Sequence, residues 1–353
     1  MASLSSTDPE RTIEFEFARA TENAALNSLP WLGRGEKEKA DEAACDAIFG
    51  VFDLVDICGE VVIGEGIKDN APGIFLGEHL GTWKLGSPRF EIALDPIDGT
   101  SNIAQGLPNS ISVMAASEGT QGQPHVMKNL PTFYAAKLAY GPEVVDAIER
   151  GKIEQISLDA PVEETLHTVA TALGKRIQDL VVMTLQRPRH QEFIASARKA
   201  GASLRLITDG DITAAVSPSL PGSGVDLFYG IGGSPEGILT AAALRALGGE
   251  MLLRMWPRDE AERAKAQAEV GDDELNRVFR CLDLMWGDSC IFCATGISDS
   301  PLLPGVKLMG KKAITESILM RAKSRTVRYI RAVHDLEHKT IHLRSEQADR
   351  KLI

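Results

Sequence analysis

The chain has 353 residues, of which 44% are hydrophobic and 25% are charged, a composition that excludes disorder over most of its length. The length allows either two domains or one large domain. The formal net charge of −11 disfavours binding to nucleic acid and to anionic membranes, so an anionic substrate would require local cations or metal ions.

The hydrophobic pattern predicts an α/β protein that begins with two helices. The first helix is expected over about residues 13–29 and the second over about residues 37–54. Short apolar runs that end in polar or Gly-rich turns then predict buried strands, and from about residue 160 a helical pattern follows several of them. We therefore predict an N-terminal domain over 1–160 and a C-terminal domain over 161–353.

The second predicted helix carries a carboxylate in line with its apolar face. At helical spacing this face is formed by Asp41, Ala44, Cys45, Ile48 and Phe52. Because burying an unpaired carboxylate is costly, Asp41 is expected to have a cationic partner. Lys37, one turn earlier, would form a salt bridge, whereas a metal ion at Asp41 would leave Lys37 to contact an anion. The helix by itself favours the salt bridge.

The strand pattern EVVIGEG ends in a second acidic position. Glu65 lies between Gly64 and Gly66, and these glycines would let an ion approach the backbone closely. An exposed turn glutamate is the alternative, since most glutamates in proteins are exposed. Asp69 follows on the loop that is expected beyond the strand.

The segment FEIALDPIDGTSN is the most informative part of the sequence. Asp95 is expected to end an apolar strand, and Asp98, Gly99 and Thr100 are expected to open the next element. Two carboxylates three residues apart at the end of a buried strand can hold a hard divalent cation. A helix that begins near Thr100 would direct its positive end at a phosphate. An ordinary turn explains these residue types but not the position of Asp95, so we favour a functional interpretation.

The turn LQRPRH follows the next informative strand and carries the opposite charge. It places Arg187, Arg189 and His190 together at the end of that strand. Guanidinium groups match the geometry of phosphate oxygens, so this cationic edge is suited to a phosphate.

Two further turns add acidic residues. Asp209 and Asp211 flank Gly210, where helix capping and hydrogen bonds from sugar hydroxyls are equally supported. The segment GIGGSPEG predicts a strand, a Gly-rich loop and a helix with Pro235 at its start and Glu236 in its first turn. Glycines next to a helix N-terminus form a site for anions, although Glu236 is also explained by the helix dipole alone.

Two other patterns are interpreted as structural. His334, His338 and His342 are four residues apart, as a metal-binding helix face requires, but the alternation around them indicates a terminal strand. The segment 258–280 is dense in charge and is interpreted as an exposed helix or helical hairpin.

The cysteines and the N-terminus predict a cytoplasmic protein. Five scattered cysteines do not form a disulfide framework, which favours a reducing compartment. Cys290 and Cys293 form a C-x-x-C pair that we interpret as two small side chains in a buried strand, because no second Cys pair or nearby His completes a zinc site. No apolar run is long enough to cross a bilayer. The first residues lack a signal core and are too acidic for a typical transit peptide, although a removed transit peptide stays open.

Together these positions form the inventory of metal-assisted phosphate ester hydrolysis. The candidate oxygen ligands are Asp41, Glu65, Asp95, Asp98 and Glu236, and the candidate phosphate-binding cations are Lys37, Arg187 and Arg189. These cations would supply the local positive field that an anionic substrate needs on an acidic protein. Neither the GxSxG pattern of serine hydrolases nor a P-loop is present in the sequence.

Seven segments resemble, in this order, one family of phosphatases: WLGRGEKEKAD, VVIGEG, DPIDGT, RPRH, DGD, YGIGGSPEG and KSRTVR. DPIDGT is similar to the signature of the lithium-sensitive, magnesium-dependent phosphatases, which include inositol monophosphatases and fructose-1,6-bisphosphatases. The full set resembles the class II fructose-1,6-bisphosphatases over about residues 14–343. The resemblance implies a layered α/β/α/β/α sandwich of the sugar phosphatase type, with a metal-binding N-terminal half and a sugar-phosphate-binding C-terminal half.

The resemblance also implies the site residues. It assigns Asp41, Glu65, Asp95 and Glu236 as ligands of Mg²⁺ or Mn²⁺. The implied substrate contacts are Asp98, Gly99, Thr100, Tyr134, Arg187, Pro188, Arg189, Asp209, Gly210, Asp211 and Gly233. Thr100 and Asp69 would orient the attacking water, and Lys37 is a further candidate catalytic residue. The family has acids where GEGIKDNAP has Ile67 and Asn70, which puts one outer metal position in doubt.

The implied reaction is hydrolysis of the 1-phosphate of fructose-1,6-bisphosphate, with sedoheptulose-1,7-bisphosphate as a further substrate to consider. The implied partner is a small sugar bisphosphate rather than nucleic acid or a membrane, and the family tends to form homodimers or tetramers. One alternative is another phosphatase of the group, acting on inositol phosphates. The other is a catalytically silent sugar-phosphate sensor, against which the intact acids and Thr100 argue.

Overall fold

The helices of the computed structural model, which describes residues 8–64, 73–120 and 122–352, begin with the two that the sequence predicts. The described helices are α1 (Pro9–Ser28), α2 (Lys37–Phe52), α3 (Thr100–Gln105), α4 (Pro142–Glu149), α5 (Val162–Leu173), α6 (Gln191–Ala200), α7 (Asp211–Val216), α8 (Ser234–Leu247), α9 (Glu260–Asn276) and α10 (Cys281–Leu284). Helix α2 buries the face that carries Asp41, Ala44 and Ile48, as its spacing predicts.

The strands belong to two large sheets and one small hairpin. The described strands are β1 (Cys58–Ile63), β2 (His79–Leu80), β3 (Arg89–Asp98), β4 (Ile111–Glu118), β5 (Tyr134–Tyr140), β6 (Val181–Leu185), β7 (Ser203–Ile207), β8 (Leu227–Gly233), β9 (Glu250–Trp256), β10 (Ile291–Gly296), β11 (Lys307–Met309), β12 (Lys312–Arg321), β13 (Thr326–Asp335), β14 (Thr340–Leu343) and β15 (Ala348–Lys351). Within these residues the first sheet has the order β11-β12-β10-β4-β3-β1-β2, with β13 paired to β12. The second sheet has the order β7-β6-β8-β5-β9, and β14 pairs with β15.

Helices cover both sheets and fill the space between them. Helices α1 and α2 pack on one face of the first sheet, where α1 contacts β4, β10 and β12. Helices α7 and α8 lie between the sheets, and α8 contacts β3 and β4 on one side and β5 and β9 on the other. Helices α4, α5 and α6 cover the outer face of the second sheet. The expected α/β/α/β/α layering is confirmed.

Helix α8 owes its composition to this central position. Ten of its 14 residues are buried, so it is apolar on all sides instead of having one apolar face. Its run of alanines and leucines allows both sheets to approach the helix closely. As a result, the first turn of α8, which carries Glu236, starts inside the layer between the two sheets.

The sequence predicts that β3 ends at Asp95, but the strand continues to Asp98. Asp95 pairs with Val113 and Asp98 pairs with Ile111, so two residues of β3, Pro96 and Ile97, oppose one residue of β4, Ser112. The extra residue forms a β-bulge, a position at which a strand tolerates Pro96. Because Val113 and Ile111 share one face of the sheet, the bulge turns both carboxylates to that same face, toward α8.

The structural interpretations of the other patterns agree with the structure. The charged segment forms α9, which is interrupted at Gly271 with a φ of 81° and so consists of two short helical pieces. His334 lies in β13 and His342 in β14, as the alternation indicates. All five cysteines lie among the described residues, where they are buried and form no disulfide. Burial raises the pKa of both Cys290 and Cys293 to about 12, which disfavours redox or metal chemistry.

The two sheets exchange strands across the predicted boundary at residue 160. Strand β5 precedes this boundary but lies between β8 and β9 in the second sheet, and β10 to β13 follow it but belong to the first sheet. The assignment of a separate function to each half therefore stays a prediction. Among the described residues, no helix is long and apolar enough to cross a membrane.

Candidate active site

A cleft of about 390 Å³ lies at the edge of the second sheet, where several predicted turns meet. Strands β6, β7 and β8 are mutually parallel, so their carboxyl ends lie at one edge, the usual place for a ligand in such sheets. The predicted residues that line this cleft are Tyr134, Arg187, Arg189, Asp209, Asp211, Gly233 and Glu236. The sequence thus identified turns that are distant in the chain and close in space.

A second cleft, of about 360 Å³, adjoins the first and is lined by one acidic residue of β3, Asp95. Asp95, Tyr134, Gly233 and Glu236 all line it, so three of these residues border both clefts. Gly64 is also in its wall. The two clefts form a continuous candidate site, with guanidinium groups in the first cleft and carboxylates in both.

Several predicted site residues are not among the described residues that line the two clefts. Glu65 and Asp69 lie outside the described residues, and their assigned roles stay predictions. Asp41 is buried on α2, a helix that contacts both α3 and β3. Lys37 is more than half exposed, and its Nζ atom is 3.7 Å from Glu38 Oε1. The convergence of Asp41 and Lys37 with the other site residues stays a prediction.

The carboxylates between the sheets repel one another. Asp98 is buried, and burial raises the pKa of its carboxyl well above the ordinary value, with Asp211, Asp209 and Glu236 raising it further. Burial raises the pKa of Glu236 to about 7, and the charge of Asp211 adds to this effect. Like charges held this close favour protonation or the binding of a cation.

The acidic residues fit a divalent metal ion. In the part of the chain that the structure describes, the enclosed atoms Asp98 Oδ2 and Glu236 Oε2 have no hydrogen-bond donor. A side chain at Gly233 would overlap the Glu236 carboxylate, so this glycine keeps space open beside it. Hard divalent ions prefer such oxygen ligands. No three His, Cys, Asp or Glu side chains of residues 8–64, 73–120 and 122–352 form a complete metal site, and Glu65 is outside these ranges.

Lys137 is a site residue that the sequence reasoning missed. It lies on β5, is fully buried, and its Nζ atom is 2.5 Å from Asp211 Oδ2. Asp211 therefore forms a buried ion pair, and its side chain does not cap α7, which was one of the two predicted roles. The available signal was a lysine inside the apolar strand pattern YAAKLAY, because a buried lysine requires a partner.

The two arginines of the RPRH turn are held differently. Arg189 lies over the ring of Tyr134, with 4.5 Å between its Cζ atom and the ring centre. Arg187 approaches Asp209, with 4.0 Å between its NH2 atom and Asp209 Oδ1. Pro188 begins the short 3₁₀ turn between them. Both guanidinium groups line the first cleft, where a phosphate would replace weak surface contacts by charge-assisted hydrogen bonds.

The loop after β7 attaches α3 to the cleft. Gly99 and Gly210 precede α3 and α7, with φ values of 91° and 88° that only glycine adopts without strain. The Ser101 N–H group donates a hydrogen bond to Asp209 Oδ2 at 3.2 Å, so Asp209 satisfies a group in the first turn of α3. Ser101 lines the cleft. It follows Thr100, which is the first residue of α3, as the sequence predicts.

Comparison with known proteins agrees with this site. Residues 11–334 match the model of the family described as bacterial fructose-1,6-bisphosphatase, glpX-encoded. The chain belongs to this family. A class 2 fructose-1,6-bisphosphatase of Haemophilus influenzae is 41% identical over 338 residues, covering 93% of this chain and 97% of that protein. Fructose-1,6-bisphosphatase 1 class 2 of Escherichia coli K12 is 39% identical over 340 residues, with the same coverage.

The family resemblance predicted from seven sequence segments is thereby confirmed, and the family is one of metal-dependent phosphatases. For the metal-free protein, we expect Glu236 to contribute a fall in the free energy of unfolding as the pH rises from 4.5 to about 7. Below this window Glu236 is protonated in both the folded and the unfolded chain, and above it Glu236 is ionised in both. Within the window the folded protein keeps a proton that the unfolded chain has lost.

Thermal unfolding with and without a divalent ion tests this expectation without any measurement of activity. Because the ion binds the ionised carboxylates, Mg²⁺ or Mn²⁺ should raise the melting temperature more at about pH 8 than at about pH 5. The Glu236→Gln variant is the control, since it should remove the contribution of Glu236 to the pH dependence and reduce the stabilisation by the ion. Equal stabilisation by the ion at both pH values would contradict the expectation.

Proposed function

We propose that this protein hydrolyses the 1-phosphate of fructose-1,6-bisphosphate to give fructose-6-phosphate and inorganic phosphate. The observation that carries the proposal is the pairing of Arg187 and Arg189 with a group of carboxylates in one continuous cleft. A bisphosphate needs a cationic subsite for the phosphate that stays and an acidic, metal-loaded subsite for the phosphate that leaves. A monophosphate would leave one of these subsites without a role.

We assign the divalent ion, Mg²⁺ or Mn²⁺, to Asp41, Glu65, Asp95, Asp98 and Glu236. When bound, the ion would lower the pKa of a water and shield the phosphoryl oxygens. Thr100 and Asp69 orient the attacking water and accept its proton in this proposal. Lys37 neutralises charge on the departing phosphate.

The sugar and its distal phosphate are assigned to the first cleft. Arg187 and Arg189 bind the 6-phosphate, and Tyr134 and Asp211 position the sugar ring by packing and hydrogen bonding. Gly99, Pro188, Gly210 and Gly233 shape the turns that carry these groups, and Asp209 completes the wall. We further propose that the protein forms a homodimer or tetramer and that it is cytoplasmic. Five buried cysteines that form no disulfide suit the reducing environment of that compartment.

A phosphate-release assay over a substrate panel tests the function. The panel contains fructose-1,6-bisphosphate, sedoheptulose-1,7-bisphosphate and an inositol monophosphate, each with Mg²⁺, with Mn²⁺ and with EDTA. We expect release from the fructose bisphosphate that EDTA abolishes. Preference for the inositol phosphate would favour the other branch of the superfamily, and binding without release would indicate a sensor.

Replacing Arg189 by Ala is expected to raise the KM for fructose-1,6-bisphosphate more than it lowers kcat. The reason is that a group that holds the distal phosphate contributes mainly to substrate binding. Losing one charge-assisted contact of this kind should raise the KM by roughly tenfold or more. Steady-state kinetics give both constants.

Arg198→Ala is the matched control for this variant. Arg198 is exposed on α6, so this variant removes the same charge from outside the cleft. It should leave both constants unchanged. A fall in kcat with an unchanged KM in Arg189→Ala would place Arg189 at the reacting phosphate instead.

A further inference from the structure

The turn that carries Arg189 is attached to β8 through the backbone of a single residue, Ile231. The Ile231 N–H group donates a hydrogen bond to His190 Nε2 at 2.7 Å. The Ile231 carbonyl accepts a hydrogen bond from Arg189 Nε at 2.8 Å. Two successive side chains of the turn thus bind the two polar groups of one residue.

These two hydrogen bonds take the place of β6–β8 ladder hydrogen bonds, which are absent at Ile231. Strand β8 pairs with β6 only at Leu227 and Phe228, so the ladder has ended before Ile231. Ile231 and His190 are both buried, where unpaired backbone groups would be costly. The imidazole therefore occupies the position in which a neighbouring strand would present a carbonyl oxygen.

The attachment also determines how Arg189 is presented. Its Nε–H group is bonded to the Ile231 carbonyl, and its planar guanidinium lies over the ring of Tyr134. The two terminal amino groups then remain as the donors for a phosphate in the cleft. Because the guanidinium is rigid, fixing Nε and the ring plane fixes the direction of these donors.

We propose that His190 is a positioning residue that sets the guanidinium of Arg189 and so selects substrates that carry a distal phosphate. This inference rests on the proposed function, in which Arg189 binds the 6-phosphate. His190 lines neither cleft and acts only through the backbone of Ile231 and the turn.

The protonation state of His190 suits this role. Nε2 must be free of a proton to accept from Ile231, so the ring is neutral with its proton on Nδ1. Burial, together with the charges of Arg189 and Arg187, lowers the pKa of His190 to about 4. The accepting form is therefore present throughout the neutral range.

The test compares two substrates that differ only in the distal phosphate, fructose-1,6-bisphosphate and fructose-1-phosphate. For His190→Ala, we expect the KM for the bisphosphate to rise by roughly tenfold with little change in kcat. The KM for fructose-1-phosphate, or its inhibition constant where turnover is slow, should change less than about twofold. His190→Gln should recover part of the loss, because its amide oxygen can accept from Ile231.

Double variants separate positioning from a general structural role. In an Arg189→Ala background, the additional change His190→Gln should have no further effect on either constant, since the positioned group is absent. If His190→Ala does not fold, His190→Asn is measured by the same criteria. Equal changes for both substrates, or an undiminished effect in the Arg189→Ala background, would overturn the inference.

Arg189→Ala alone distinguishes failure of the inference from failure of the proposed function. If this variant leaves the KM of the bisphosphate unchanged, Arg189 does not bind the distal phosphate, and that part of the proposed function is wrong. If it raises the KM while His190→Ala does not, the proposed function stands and the inference about His190 is wrong.

Discussion

Turnover is expected to fall by on the order of 10³-fold or more when Asp95 is replaced by Asn, equivalent to about 4 kcal/mol of lost transition-state stabilisation. The bulge in β3 turns Asp95 and Asp98 to the same face of the sheet, and Asp95 lines the cleft with Glu236. The amide has nearly the shape of the carboxylate but lacks its charge, so it is a poor ligand for a hard divalent ion. Phosphate release at saturating metal and substrate measures the effect.

The matched control is Asp179→Asn, which makes the same chemical change at an exposed carboxylate that pairs with Arg176 before β6. This variant should retain normal turnover. The melting temperature of metal-free Asp95→Asn should be close to that of the original protein, which separates a loss of activity from a loss of folding. Near-normal turnover in Asp95→Asn would refute the metal role of this residue.

Lys137→Met is expected to lower the free energy of unfolding by about 3–5 kcal/mol, because it leaves the carboxylate of Asp211 buried without its cation. The Asp211 side chain is almost completely enclosed, and Asp98 and Glu236 lie close enough to repel it. Unfolding in urea at neutral pH, in the absence of divalent ions, gives this free energy directly. Combining the change with Asp211→Asn should recover most of the loss, since the uncompensated charge is then removed.

The chain offers a control pair with the same contact distance and different burial. Lys175 Nζ is 2.5 Å from Asp226 Oδ1, but the lysine side chain is 42% exposed. Lys175→Met should therefore cost less than about 1 kcal/mol, as solvent screens an exposed pair. If both lysine variants lost the same stability, burial would not explain the importance of Lys137.

Features that depend on local residue patterns could be predicted from the sequence. The spacing of Asp41, Ala44 and Ile48 predicted the buried face of α2, and the turns after predicted strands gave Arg187 and Asp209 at one edge of the sheet. Parallel strands have their carboxyl ends at the same edge of a sheet, whatever the length of the segments that connect them. Residues that follow these strands therefore lie close together even when they are distant in the chain.

The parts that could not be predicted depend on pairing between distant segments. The bulge in β3 exists only relative to β4, and without it Asp95 and Asp98 would face opposite sides of the sheet. The role of Lys137 depends on its ion pair with Asp211, which lies 74 residues later in the chain. His190 likewise depends on where the β6–β8 ladder stops, which no local pattern in RPRH reveals.

The exchange of strands between the sheets makes the two halves of the chain interlocked. Cutting near residue 160 would separate β5 from both of its neighbours, β8 and β9, and would take β10 away from β4. Each fragment would then present long unpaired strand edges, which are prone to aggregate. We therefore expect that neither half folds by itself, and the lining of the first cleft comes from both sides of residue 160. A chain that lacks either half would therefore lack part of the wall of this cleft.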